Sequence, residues 1–195
     1  MKRDLLKLLQ QLLRNGLSQA RRRKSSGPLL IAVLTITVFA VTQLLKEPDS
    51  PLPAKGTSLG CQLLDIHDGD TVTARCPEGK LKVRLFGIDA PEIGQKPWGE
   101  QSRELLRGLL PNPHIKLEVV DLDQRYGRVV ARILNGYQDV GLEMVRQGGA
   151  AVYEQYNNSR AYQVAQLQAK QDRLGIWSRP GAQQEPWEWR KLNPR

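Results

Sequence analysis

From residue 59 to residue 134, apolar and polar positions alternate in short runs broken by turn-forming residues, the pattern of half-buried strands. Leu59–Ile66 is the first run, and Asp68-Gly69 reads as a two-residue hairpin turn into the second, Thr71–Cys76. Pro77-Glu78-Gly79 makes another turn before a third run over Leu81–Ile88. The period then changes. Leu105, Leu106, Leu109 and Leu110 fall at helical spacing within Glu100–Leu110, and Pro111 ends that helix. His114–Val120 and Val129–Leu134 return to strand patterning, the latter closed by the turn pair Asn135-Gly136. Asp139 is placed to cap a helix carrying Leu142 and Val145 and ending at Gly148-Gly149. Ser159 caps a longer helix that runs through Arg173 and stops at Gly175.

This order, βββ-α-ββ-α-α, predicts an α+β domain: a five-stranded Greek-key β-barrel of the OB type decorated by about three helices. The domain is expected over residues 58–180, after a linker at 46–57 that holds three prolines and a glycine. Trp177 is expected as a core anchor. Residues 181–195, with Trp187 and Trp189 near Arg190, are expected to form a loosely packed tail.

Upstream the pattern is different again. Residues 28–45, PLLIAVLTITVFAVTQLL, carry no charge and would span about 27 Å as a helix, enough for a thin hydrocarbon core. Arg21, Arg22, Arg23 and Lys24 precede this stretch and only Lys46 follows closely, so the positive-inside rule predicts a single transmembrane signal-anchor. The N-terminus is then cytoplasmic and the C-terminal domain extracytoplasmic, periplasmic or extracellular. A cleaved signal peptide is the rival reading; the long basic leader and the lack of a clear A-x-A site favour the anchor. Within the basic tail, residues 1–27, the leucines at 5, 6, 8, 9, 12 and 13 make an amphipathic helical face over Asp4–Leu17.

The net charge of +9 comes from 29 Lys and Arg against 20 Asp and Glu. Residues 1–46 hold nine of those bases and one acid, leaving 20 bases and 19 acids beyond them. The basic balance therefore describes the anchor region, and composition alone gives the domain no polyanion-binding surface.

Two cysteines are placed by the first hairpin. If its centre is the Asp68–Gly69 bond, opposed residue numbers sum to 137, and Cys61 then faces Cys76 at a Cβ separation of roughly 4.5–5.5 Å. A disulfide is expected on the exported side of a membrane, with buried thiols as the alternative.

The residues with chemical potential are carboxylates and arginines near the same hairpin. Asp70 lies just past the turn and Asp89 at the end of the third run, two hard-oxygen donors suited to Ca²⁺ together with the Ala90 carbonyl, which Pro91 helps to orient. Glu92 is three residues further on, near that ion and placed to act on a water as general base. Arg84 and Arg128 can fork onto phosphate oxygens and stabilise charge on a five-coordinate transition state. His67 and His114 are isolated, which argues against zinc. Residue chemistry alone thus points to a metal-assisted phosphodiesterase.

The segments IHDGDT at 66–71, VRLFGIDAPE at 83–92, RYGR at 125–128, LEMVRQGGA at 142–150 and LGIWS at 174–178 occur in one order and at compatible spacing. Through them, residues 58–178 resemble the staphylococcal nuclease (thermonuclease) family. The resemblance implies an OB barrel with three helices and a Ca²⁺-dependent nuclease of DNA and RNA. It further implies water attack on phosphorus, cleavage of the 5′ P–O bond and 3′-phosphate products. Asp70, Asp89 and Ala90 match the calcium ligands, Glu92 the general base, and Arg84 and Arg128 the phosphate-binding arginines. Arg125 and Tyr126 fall where the family contacts a terminal phosphate and base, and Tyr153 where an aromatic packs on the nucleotide. Ala90 stands where a threonine is common, and the loop after Glu92 is short and poor in lysine. A non-catalytic OB module that binds nucleic acid or protein at the membrane is the alternative; degenerate relatives lose the acids or arginines that this chain keeps. No specific protein partner is implied.

Overall fold

In the first strand, β1 (Ser58–Ile66), Leu59, Cys61 and Ile66 turn inward while Ser58, Gly60 and Gln62 face solvent. The same alternation continues through β3 (Gly79–Leu85), and later through most of β5 (His114–Asp123) and β6 (Arg128–Asn135), whereas β2 (Thr71–Cys76) is buried on both faces over Thr71–Ala74. One apolar face per strand must be buried, and closing the sheet on itself buries all of them. These strands come from a computed structural model that describes residues 35–39, 41 and 52–193.

The strands follow the order β3-β2-β1-β5-β6, and parallel pairing of Val83 with Val129, Arg84 with Val130 and Leu85 with Ala131 closes the barrel. Val72, Ala74, Val83, Leu117, Val129 and Ala131 fill its interior and are wholly buried. Among the described residues of this unit, four helices accompany the five-stranded barrel: α1 (Trp98–Leu109), α2 (Val140–Arg146), α3 (Arg160–Gln171) and α4 (Pro186–Leu192). Two short pairings complete the topology. β4 (Ile88–Asp89) pairs antiparallel with β8 (Ala151–Val152), and β7 (Gln138–Asp139) adds to the end of β6. The expected α+β closed barrel is therefore present.

Several boundaries differ from the sequence expectation. The third strand ends at Leu85, not Ile88, because Val83 and Leu85 already face the core and Ile88 is buried too. Three buried positions with that spacing break the period of two, so the chain must turn. It does so at Phe86-Gly87, where Gly87 takes φ +71°, a conformation that favours glycine. Asp139 caps α2 as expected, accepting from the Leu142 amide at 3.2 Å. Ser159 is the first residue before α3, but its hydroxyl makes no capping bond, and Asn157 Oδ1 instead accepts from the Ser159 amide at 3.0 Å.

The first hairpin also has a different centre. Ile66 pairs with Val72 and Asp65 with Thr73, which puts the centre on Gly69. A bulge between Leu63 and Asp65 then shifts the register by one, so that Leu63 faces Ala74 and Gln62 faces Arg75. The next rung joins Cys61 to Cys76, and the two are disulfide-bonded with their Cα atoms 4.4 Å apart.

The core anchor near the end of the domain is Ile176, 2% exposed, and not Trp177. Trp177 is half-buried with the Lys170 ammonium 4.5 Å above its ring. Nor is the segment after residue 181 loose. Ala182–Gln184 form a 3-10 turn, buried Gln183 donates to the carbonyls of Ile176 and Arg179, and α4 follows with buried Pro186 in its first turn.

Residues 35–39 and 41 are helical and belong to a separate unit. Among the described residues no helix is long and apolar enough to cross a membrane. The amphipathic stretch Asp4–Leu17 and most of the expected anchor at 28–45 lie outside the described residues.

Candidate active site

The turn between β1 and β2 is held against β4 and α1 by the smallness of one residue. A Cβ on Gly69 would lie 1.8 Å from Ser102 Oγ and 2.7 Å from the Ala90 Cβ, so only glycine fits here. Ser102, on α1, donates to the Gly149 carbonyl at 2.7 Å and fixes the helix beneath the turn. The glycine of Asp68-Gly69-Asp70 therefore serves close packing. It brings Asp68 and Asp70 beside Asp89 and Ala90.

Asp70 is 2% exposed and fully engaged. Its Oδ1 accepts from Thr71 Oγ1 at 2.9 Å and Arg84 Nη1 at 2.8 Å, and its Oδ2 accepts from the Ala90 amide at 2.9 Å. Asp68 Oδ1 accepts from the Asp70 amide at 3.0 Å. Arg84 bridges onward, donating through Nη2 to Asp89 Oδ1, and Asp89 is wholly buried. Glu92 follows in a tight turn in which its amide donates to Gln95 Oε1 and its carbonyl accepts from the Gln95 amide, each at 2.8 Å. Asp70, Arg84, Asp89, Ala90 and Glu92 are thus gathered in one place.

A sixth residue enters from far along the chain. Arg190, on α4, donates through Nη2 to both oxygens of Asp89 at 3.0 and 2.9 Å, and through Nη1 to Glu92 Oε1 at 3.2 Å. Sequence reasoning missed this role. Pro186 is a helix-start signal that would have found α4, but nothing local shows where the helix docks.

The charges are unbalanced: the carboxylates of Asp68, Asp70, Asp89 and Glu92 meet the guanidiniums of Arg84 and Arg190. Burial and the neighbouring Asp70 push the Asp68 carboxyl up to about 7. Burial and Asp70 also raise Asp89 above its ordinary value, although Arg84 and Arg190 oppose the shift. Burial works against the charged form of Arg84, yet Asp70 and Asp89 outweigh it and hold its pKa above that of a free arginine. With four carboxylates against two guanidiniums, the centre has room for further positive charge. Its side-chain donors are all carboxylate oxygens, which fits a hard divalent cation and not zinc. Among the described residues no three His, Cys, Asp or Glu side chains are grouped tightly enough to hold a metal by themselves. An ion would therefore take Asp70 and Asp89, with main-chain, water or substrate oxygens completing its shell.

The remaining expected residues form two further groups. Alternate residues of a strand share a face, and Arg84 is the parallel partner of Val130, so Arg128 shares the outer barrel face with Arg84. Strand spacing puts their Cα atoms about 8 Å apart. Arg128 is bound to Asp123, through Nη2 at 2.5 Å and Nε at 3.2 Å. Its guanidinium carbon lies 4.9 Å from the Tyr126 ring centroid, and that of Arg125 lies 5.4 Å away. Tyr153 follows β8, tied by its amide to the Gly87 carbonyl at 3.0 Å. Its ring stacks on Trp187 of α4, with centroids 5.5 Å apart and planes 7° from parallel.

A closed five-stranded barrel with buried carboxylates and arginines on one outer face defines a class, the phosphodiester-cleaving nucleases built on this fold. Residues 82–179 match the family described as staphylococcal nuclease homologue, and the chain belongs to that family. It is 37% identical over 132 residues to an uncharacterized endonuclease of Haemophilus influenzae, covering 67% of this chain and 72% of that protein. It is 33% identical over 143 residues to a micrococcal nuclease of Shigella flexneri, covering 68% and 80%. A probable staphylococcal-like nuclease of Oryza sativa subsp. japonica is 33% identical over 132 residues, 68% of this chain and 33% of that protein. The chain is accordingly a hydrolase of the endonuclease class.

Proposed function

We propose that the chain is a calcium-dependent nuclease that hydrolyses DNA and RNA and leaves 3′-phosphate ends. The observation that carries this reading is the buried bridge from Asp70 through Arg84 to Asp89, with Glu92 beside it and negative charge in excess. Asp70, Asp89 and the Ala90 carbonyl would hold the ion. Bound there, calcium supplies positive charge to a phosphate oxygen and acidity to a water.

The chain's own residues do the rest. Arg84 and Arg128 grip the non-bridging phosphate oxygens, with Arg128 exchanging the Asp123 carboxylate for phosphate. Glu92 takes a proton from the attacking water as its oxygen bonds to phosphorus. The 5′ oxygen leaves opposite with its bonding pair and is protonated by solvent, so the phosphate stays on the 3′ side. Arg125 and Tyr126 would meet a terminal phosphate and base, and Tyr153 a nucleotide ring.

Glu92→Gln in the full chain is expected to lower kcat by about 10²- to 10⁴-fold with the fold intact. Chelator should abolish cleavage, and end-group analysis should find 3′-phosphates. Undiminished cleavage by Glu92→Gln would remove that residue from the mechanism. Nucleic-acid binding without hydrolysis at millimolar Ca²⁺ would favour the non-catalytic module.

We infer as well that residues 28–45 anchor the chain in a membrane with the nuclease domain outside the cytoplasm. The uncharged run and the bases placed on one side of it support this.

A further inference from the structure

The C-terminal helix does to this site what a cation and a nucleotide would do. Arg190 places a positive charge on both oxygens of Asp89 and on Glu92, the acids assigned to the ion and to the water. Three residues earlier, and on the same helix, Trp187 lies flat on Tyr153, the ring assigned to nucleotide packing. One short segment thus covers two functions at once, with a guanidinium in the place of a metal and an indole in the place of a base.

The seating is reversible in kind. A helix of seven residues is too short to persist in water without docking. Its Glu185 N-cap makes no side-chain bond, Leu192 at its end is exposed, and the Arg190 side chain keeps a third of its surface in solvent. Its attachment combines the ion pairs of Arg190 with half-buried rings, Trp187 on Tyr153 and Trp189 beside Gly94, and the turn before it is held by the bond from Gln95 Nε2 to the Ala182 carbonyl at 3.2 Å. Beside Tyr153 and Trp187 lies a cleft of about 640 Å³ that also reaches Gln166, Lys170, Trp177 and Gln184, so the helix borders open space there and not a dry core.

We propose that Pro186–Leu192 is a tethered plug, a pseudo-ligand that holds the nuclease closed until cation and nucleic acid displace Arg190 and Trp187 together. The proposal rests on the reading that Asp70 and Asp89 form the cation site. If the closed form outnumbers the open one by about ten to a hundred to one, the apparent Kd of each ligand rises by the same factor. Binding of either ligand then favours the other, since both need the same displacement.

The test is calorimetric titration of Ca²⁺ into the full chain without substrate, for the wild type, Arg190→Gln, Arg190→Lys and Asp89→Asn, with folding followed by circular dichroism. Arg190→Gln is expected to tighten Ca²⁺ binding at least about tenfold, Arg190→Lys to tighten it less, and Asp89→Asn to weaken it strongly. Trp187→Ala should tighten binding of a short single-stranded oligonucleotide in chelator, where no cleavage occurs. If Arg190→Gln and Arg190→Lys bind Ca²⁺ as weakly as the wild type or more weakly, while Asp89→Asn abolishes binding, Arg190 belongs to the site and the plug is wrong. If Asp89→Asn binds Ca²⁺ like the wild type, the cation-site reading fails first and takes the plug with it.

Discussion

A carboxyl buried beside another carboxylate keeps its proton to higher pH than one in water, and Asp68 does so next to Asp70. The folded chain holds this proton up to about 7, whereas an unperturbed aspartate releases it near 3.8. Between those values the folded state binds more protons than the unfolded one, so this group's contribution to stability declines as pH rises through the window. In chelator, Asp68→Asn is expected to flatten the fall in melting temperature between about pH 4 and pH 7, read as a difference from the wild type; parallel curves would refute the assignment. Residues of this kind were only partly legible beforehand. Asp70, Arg84, Asp89 and Glu92 stand on consecutive strands and turns, and their types alone pointed to phosphate and metal chemistry. Asp68 read as a turn-former because its burial depends on packing across Gly69. Arg190 lies 98 residues from Glu92, and no local signal marks a lone arginine near the C-terminus as a partner of the acids.

At the scale of elements, the first hairpin shows how a correct pairing can rest on an incomplete premise. Counting from the Asp68–Gly69 bond placed Cys61 opposite Cys76. The actual turn is one residue wider, and the bulge in β1 restores the count before the cysteines are reached. A bulge answers to the twist and packing of the barrel, which a string of residues does not display. The bond closes a loop with a sequence separation of 15 residues, for which chain entropy gives about 3 kcal/mol. Replacing both cysteines with alanine should therefore lower unfolding free energy by about 3 kcal/mol in denaturant titrations. Two free thiols in freshly isolated protein would show that the pair is not oxidised. Strand and helix types were otherwise readable from period and punctuation. β4, β7 and β8 were not, because two-residue pairings leave no periodic trace, and α4 was not, because seven residues show too little helical period to stand out from a tail.

The whole molecule divides its charge as it divides its tasks. The surplus bases lie in residues 1–46, and the remainder is close to neutral, so composition gives the domain no broad positive field. That division underlies the proposed anchor. Fusing a reporter that folds only outside the cytoplasm to the C-terminus should give signal in the wild type. Moving the four bases at 21–24 to the far side of residues 28–45 should reduce it. Signal in neither chain would refute the orientation. The barrel was legible as a class because its strands alternate, but its closure was not, since the pairing of β3 with β6 has no turn to announce it.

That closing seam has a consequence in time. Arg84 and Val130 are 46 residues apart in sequence and meet only where the two parallel strands join. Contacts between distant segments require loop closure before they return any stabilisation, so such pairings form late. Arg84 and Arg128 come to share one face at that step. A chain still emerging from synthesis can fold its first hairpin and join its cysteines, yet Arg84 and Arg128, the arginines proposed to grip phosphate, share no face until residue 130 is available. The last strand of the barrel thus keeps the enzyme silent until most of its length has been made.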